Sequence, residues 1–208
     1  LYLSTERPAK DSVSPNSYEV QDHSIYLRQS GGGSAVVGIL FGPIGVLANS
    51  ANNDRITQGI GKSGQYSSLY ELDAINEASL GWGDEFSGNI RNTNGTTGIS
   101  VKPYLLLYVD DEKNGISSIA GIRVETNIIG DDGIPKKWAG HYNFAIEKVL
   151  RFSALETRLS DEELYQYRTE IRNGFKEIRT ELLSDMTKPH SANGKVAMVW
   201  APIFRATL

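Results

Sequence analysis

The chain contains no cysteine. Within these 208 residues that excludes disulfide scaffolds, thiol catalysis and cysteine-ligated zinc. It leaves the redox compartment open, because an oxidising space permits disulfides without requiring them. Histidine is scarce. His23, His141 and His190 stand far apart in sequence, and none belongs to an H-E-x-x-H or H-x-E pattern. No G-x-S-x-G turn is present to present an acyl-transfer serine. Charge of one sign is not in excess either: 21 Lys and Arg face 25 Asp and Glu, and the basic residues are scattered. A general nucleic-acid binder shows a basic stripe, so nucleic acid is not an expected partner. Finally, no apolar run reaches the roughly 17–25 residues of a membrane-crossing helix.

What the chain does have is glycine, 21 residues of it, and one unusual stretch. Between Gly31 and Ala51 lies a run from Ala35 to Ala48 in which no side chain carries a charge or a hydrogen-bonding group. As a helix its 14 residues (35 to 48 inclusive) would cover only about 21 Å. Gly38 and Gly42 make a G-x-x-x-G spacing that lets another backbone approach closely. Pro43 breaks or kinks any helix through Ile39. Such a run needs dry surroundings. It can pack under the domain through its glycines, or it can dock on lipid or another subunit. On the second reading Gly38, Leu40, Phe41, Gly42, Ile44, Gly45 and Leu47 are the candidate interaction residues.

Other motifs fail on inspection. Gly61-Lys62-Ser63 resembles the end of a P-loop, but Ile56 stands where the first glycine belongs. A calcium loop counted from Asp110 has Gly115 at its sixth position but Gly121 at its twelfth, where a Glu is needed. Asp110, Asp111 and Glu112, like Asp131 and Asp132, therefore read as solvated turns. Trp82, Trp138 and Trp200 could line a ligand cleft, but aromatic residues on sheet faces are more often core. No catalytic residue, metal site or cofactor emerges.

In chain order, residues 1–17 are polar, with Pro8 and Pro15, and read as an N-terminal tether to a single domain over 18–208. Residues 18–28 read as a strand. Residues 66–80 read as a short helix, with Ser67 or Ser68 as its cap and Leu69, Leu72, Ile75 and Ala78 near one face. Three strands follow, 99–109, 116–129 and 138–149, joined by short turn mixtures that predict an antiparallel meander. The first is apolar almost throughout after Pro103 and is expected to be central. In the third, Trp138, Tyr142, Phe144 and Ile146 share a face, and His141, Asn143 and Glu147 take the wet one.

The clearest helix is 160–186. Ser160 and Glu163 form a capping box. Leu164, Tyr167, Ile171, Phe175, Ile178 and Leu182 make one apolar stripe, and Arg168, Arg172, Lys176 and Arg179 are expected on the solvated side. A last strand is expected over 195–205, apolar on both faces until Pro202.

The order of three features, Gly31–Ala51, the Val101-Lys102-Pro103-Tyr104-Leu105-Leu106-Leu107 strand and Trp138-Ala139-Gly140-His141-Tyr142 before a long helix, resembles small envelope lipoproteins of Gram-negative bacteria. The resemblance is one of pattern over residues 30–185. It implies a periplasmic domain, tethered to the outer membrane and without catalytic residues. The expected fold is α+β: one domain, a mostly antiparallel sheet of four or five strands, and the long helix on one face. The expected function is non-enzymatic, through contact of residues 31–51 with an envelope protein, a membrane surface or a second copy of the chain. A hydrolase using carboxylates from the acidic turns, and a small-ligand carrier with an aromatic cleft, are the alternatives.

Overall fold

The computed structural model describes residues 1–14, 17–20, 22–29, 58, 67–83, 90–91, 98–110, 115–129, 135–155 and 157–187. The glycine-rich segment 31–51, the P-loop-like Gly61-Lys62-Ser63, most of both acidic turns and the strand expected over 195–205 lie outside these residues.

The architecture is α+β, as the patterning predicts: a sheet with the long helix packed on one face. Its backbone is a meander of three long strands, β5 (Ser100–Asp110), β6 (Gly115–Ile129) and β7 (Pro135–Arg151). β6 pairs antiparallel with both neighbours, as turns too short for a crossover require. β5 is central. One of its edges carries β6 along the full length; the other carries two short strands in parallel, β1 (Tyr2–Ser4) beside Ser100–Val101 and β3 (Ile25–Gln29) beside Leu105–Val109. β4 (Ile90–Arg91) adds outside β1, and β2 (Tyr18–Val20) outside β3. Seven strands are thus joined among the described residues, and the sheet is mixed rather than wholly antiparallel.

Two of the short strands come from places where the sequence suggests otherwise. Residues 18–28 are not one strand but a hairpin, β2 against β3, turned through Asp22 and Ser24 at φ 62° and 52°. Their short polar side chains tolerate the left-handed region better than the apolar residues on either side. The N-terminal stretch expected to be a tether is laid along the sheet. Leu3 is fully buried in β1, a single helical turn α1 (Lys10–Val13) follows, and Pro8 accepts a hydrogen bond from Tyr26 Oη at 2.5 Å. Its apolar residues, few as they are, find a parallel partner in β5.

Helix α2 (Ala74–Trp82) begins later than its apolar spacing suggests. Asp73, not a serine, caps it, accepting from the amides of Ile75 and Asn76 at 2.9 and 3.2 Å. Ser67 instead caps a 3-10 turn over Ser68–Glu71. Gly83, at φ 78°, ends α2 in a conformation that favours glycine.

Helix α3 (Asp161–Thr187) follows its sequence closely. The amide of Glu163 donates to Ser160 Oγ, and the Ser160 amide and hydroxyl donate to Glu163 Oε2 at 3.1 and 2.7 Å, which is the capping box. Tyr167, Ile171, Phe175, Ile178 and Leu182 are buried against Ala120, Ile122, Val124 and Ile146 of β6 and β7. A side chain at Gly174 would stand 2.9 Å from the Phe144 ring and 3.3 Å from Ala120, so the helix backbone lies close on the sheet there. Arg168 and Arg172, expected in solvent, turn instead toward Glu77, which α2 buries almost completely; Arg172 Nε donates to its Oε2 at 2.6 Å. α2 lies so close that a side chain on Gly81 would come within 2.5 Å of the Arg172 carbonyl oxygen.

Phe175 is fully buried at the centre of the stripe. Phe175→Ala should destabilise the fold by roughly 3–5 kcal/mol, lowering the melting temperature on the order of 10 °C. Thermal and urea unfolding followed by circular dichroism measure both. A change of a degree or less contradicts the placement.

Candidate functional site

The seven residues singled out for interaction, Gly38, Leu40, Phe41, Gly42, Ile44, Gly45 and Leu47, lie outside the described residues. Their flanks do not. β3 delivers the chain at Gln29, paired with Val109 near the end of β5. The chain re-enters at Ser67, whose hydroxyl donates to the Ala154 carbonyl at 2.5 Å. Ala154 closely follows Arg151, which pairs with Gly115, itself opposite Asp110. Gln29 and Ser67 therefore stand at the same end of the sheet. The described residues on either side of 30–66 thus both stand at the end where β3, β5 and β7 finish.

A connected polar array lies on the sheet face turned away from α3. It follows from three cross-strand rows. Tyr104, Gly121 and Asn143 form one; Lys102, Arg123 and His141 the next; Ser100, Glu125 and Ala139 the third. Gly121 is the permissive element. A Cβ there would fall on the Tyr104 ring and 2.7 Å from Asn143 Oδ1. Its absence lets the ring reach across β6, so that Tyr104 Oη donates to Asn143 Oδ1 at 2.6 Å and stands 3.2 Å from His141 Nδ1. Tyr26 backs the ring edge-on, with centroids 6.3 Å apart at 84°.

Arg123 N–H groups can only donate. With Arg123 2.9 Å from His141 Nε2, that nitrogen accepts, Nδ1 carries the proton and donates to Tyr104 Oη, and the tyrosine hydroxyl donates to Asn143 Oδ1. The direction of every bond is fixed. Glu125 completes the array: Oε1 accepts from Arg123 Nε at 2.7 Å, and Oε2 lies 3.1 Å from Lys102 and 3.3 Å from Lys137. Lys102 also meets Glu6 at 3.0 Å, which ties the N-terminal stretch to this face.

The electrostatics follow the geometry. Burial pushes the Tyr104 hydroxyl well above its usual range, which suits a donor and not a base. Burial raises the Glu125 carboxyl, but the bonds from Arg123 and Lys102 outweigh it and hold the group down at about 2. Burial opposes the charge on Lys102, while Glu6 and Glu125 more than restore it. Burial, and then the Arg123 guanidinium, hold His141 below the usual imidazole value. These groups are satisfied by one another, an arrangement suited to presenting a rigid polar surface rather than to moving protons.

His141 therefore keeps its expected place on the wet face, but not as an isolated surface residue. Asn143 shares that face as expected. Trp82 is core, its indole donating to the Phe175 carbonyl at 2.8 Å, so it lines no cleft. Trp138 lies over Gly140 and is 36% exposed; Trp200 is outside the described residues. Among the described residues no group of three or more His, Asp or Glu is placed to hold a metal ion, and no helix is long and apolar enough to cross a membrane.

Two pH effects follow. A carboxylate held down to about 2 stabilises the fold fully above the usual carboxylate value, and that contribution is lost as pH falls toward about 2. A depressed histidine acts in the same sense at higher pH: the unfolded chain takes up its proton first, so stability falls as pH drops below the usual imidazole value. NMR titration of His141 should give a midpoint below that value, and Arg123→Gln should raise it. An unchanged midpoint in the variant would show that Arg123 has no hold on the ring.

Comparison of the chain with protein-family models, with curated proteins and with solved structures gives no match.

Proposed function

We propose that this chain is a non-enzymatic interaction domain of the bacterial cell envelope, acting in the periplasm through the apolar segment 31–51. In this reading the α+β body is a rigid mount, and Leu40, Phe41, Ile44 and Leu47 engage a protein or lipid surface, with Gly38, Gly42 and Gly45 permitting close backbone approach. The observation that carries it is the common origin of the two flanks. Gln29 and Ser67 are both fixed at one end of the sheet, one by strand pairing and the other by a buried side-chain bond. The described residues that flank the 14-residue neutral run (Ala35 to Ala48) are thus both fixed to the sheet. The polar array on the open face supports the same reading, since its groups are bound to one another rather than poised for chemistry.

The test compares the full chain with a variant lacking residues 31–51 and with the double substitution Leu40→Asp, Phe41→Asp, whose folding circular dichroism verifies. Binding is measured by flotation with anionic liposomes and by recovery of partners from envelope extract. The full chain should bind in at least one assay, and both variants should lose at least tenfold. Equal recovery of all three would refute the proposal. Binding to liposomes alone would identify lipid as the surface engaged; recovery from extract alone would identify protein.

A further inference from the structure

One bond of the array on the face away from α3 depends on a proton. Arg123 Nη1 donates to His141 Nε2 at 2.9 Å, and that nitrogen accepts only while the ring is neutral. Arginine keeps its own proton in proteins. When the imidazole takes one up, two donors face each other with no acceptor between them.

We propose that Arg123 and a protonated His141 form an acid-gated site for an oxyanion of the phosphate type, one oxygen of which accepts from both. Three observations carry the assignment. The first is geometry. Arg123 and His141 are cross-strand partners on β6 and β7, and the bond between their heads lies at the surface, where an anion reaches both from solvent. Both side chains are held from behind. Glu125 Oε1 accepts from Arg123 Nε at 2.7 Å, and Tyr104 Oη, 3.2 Å from His141 Nδ1, accepts from that nitrogen in either state of the ring. Protonation therefore changes one end of the imidazole only. Nε2 turns from acceptor to donor where Arg123 Nη1 already stands. As the two heads part, an oxygen about 2.7–2.9 Å from each makes two charge-assisted bonds. A phosphate-type group brings several oxygens and a charge of about −1.5 to −2 near neutrality, which chloride does not.

The second is charge. Lys102, Arg123 and Lys137 are set against Glu6 and Glu125 on this face. A protonated His141 added to these three cations makes four against two carboxylates, so a nearly balanced surface becomes attractive to an anion in acid. Tyr104, the other titratable group against the ring, is kept neutral by its burial.

The third is that the carboxylates already there are engaged elsewhere. Glu125 pairs across to Ala139, one row along from Arg123 and His141. Its Oε1 is taken by Arg123, and its Oε2 by Lys102 and Lys137. Glu6 is held by Lys102 at 3.0 Å. Turning Glu125 toward His141 would loosen bonds to three cations, whereas an anion from solvent disturbs none of them. Burial and the Arg123 guanidinium hold the imidazole below its usual value, so the gate opens in acid. By linkage, an anion that prefers the protonated ring must raise that value.

The test is NMR titration of the histidines in the full chain, with sulfate as the probe because its charge stays constant over the range. Chloride at matched ionic strength is the reference, since salt alone screens the surface. Sulfate at tens of millimolar should raise the His141 midpoint by about 0.3 unit or more, a twofold or greater preference for the protonated ring, and leave His23 unmoved. Arg123→Gln, its fold verified by circular dichroism, should abolish the rise. In His141→Gln the Arg123 side-chain signal should respond to sulfate no more in acid than at neutral pH. Equal midpoints in sulfate and chloride, a like rise at His23, or an undiminished rise in Arg123→Gln would each overturn the proposal. Flotation at neutral and acid pH, on phosphatidylcholine vesicles with and without phosphatidylglycerol, identifies the source of the phosphate. Binding that strengthens severalfold in acid for the full chain, but not for His141→Gln, places it on a lipid headgroup. A sulfate-dependent rise without that strengthening places it in solution. Both arms turn on His141, so the result does not depend on what residues 31–51 bind.

Discussion

The seating of α3 on β6 and β7 is the contact on which the rest of this molecule depends. Gly174 brings the helix backbone down onto Phe144 and Ala120, and the apolar stripe fills the sheet face on both sides of that point. Once α3 is seated, its other flank is available to α2. Glu77 is then enclosed with Arg172 hydrogen-bonded to it and Arg168 3.5 Å away. A buried carboxylate without a partner would be strongly destabilising, so this pair fixes how the two helices meet rather than adding large net stability. The same seating leaves the opposite sheet face to the N-terminal stretch at one side and to solvent at the other.

That opposite face shows how one missing side chain organises several others. Gly121 sits in the middle of a long strand, where glycine weakens pairing and leaves nothing to pack. Here the gap admits the Tyr104 ring, and the ring delivers a hydroxyl to β7 that β5 could not otherwise reach. The bonds to Asn143, His141 and Arg123 then run in one direction only. The array joins β5, β6 and β7 from the side away from the helix, while Lys102 and Glu6 bind the N-terminal stretch to the same surface. Apolar burial holds the α3 face; the other combines a smaller buried cluster, Tyr26, Tyr104 and Leu106, with charge-assisted hydrogen bonds around Arg123 and Glu125.

The long-period features were legible in the sequence because each rests on many residues. The α3 stripe and its capping box, the meander of β5, β6 and β7, the central place of β5 and the wet side of His141 and Asn143 all follow from repeated spacing. What was not legible depends on single residues or on distant partners. Asp22 and Ser24 break one apparent strand into a hairpin, and only their backbone angles reveal it. Leu3 gains its burial from β5, far away in sequence, so a polar composition hides it. Arg168 and Arg172 look solvated until α2 brings Glu77 to them. The Tyr104 array did leave a trace, a glycine within an otherwise strand-like run, but its meaning depends on the register that sets Gly121 between Tyr104 and Asn143.

The geometry also bears on where the apolar segment can act. β1 pairs with β5 at Ser100 and Val101, whereas β3 ends beside Val109. The chain's first residues and the departure point of 31–66 are thus separated by the length of β5, on the order of 30 Å at about 3.3 Å per residue. The face opposite α3 carries Lys102, Arg123 and Lys137 against Glu6 and Glu125, a nearly balanced surface whose charges are paired with one another.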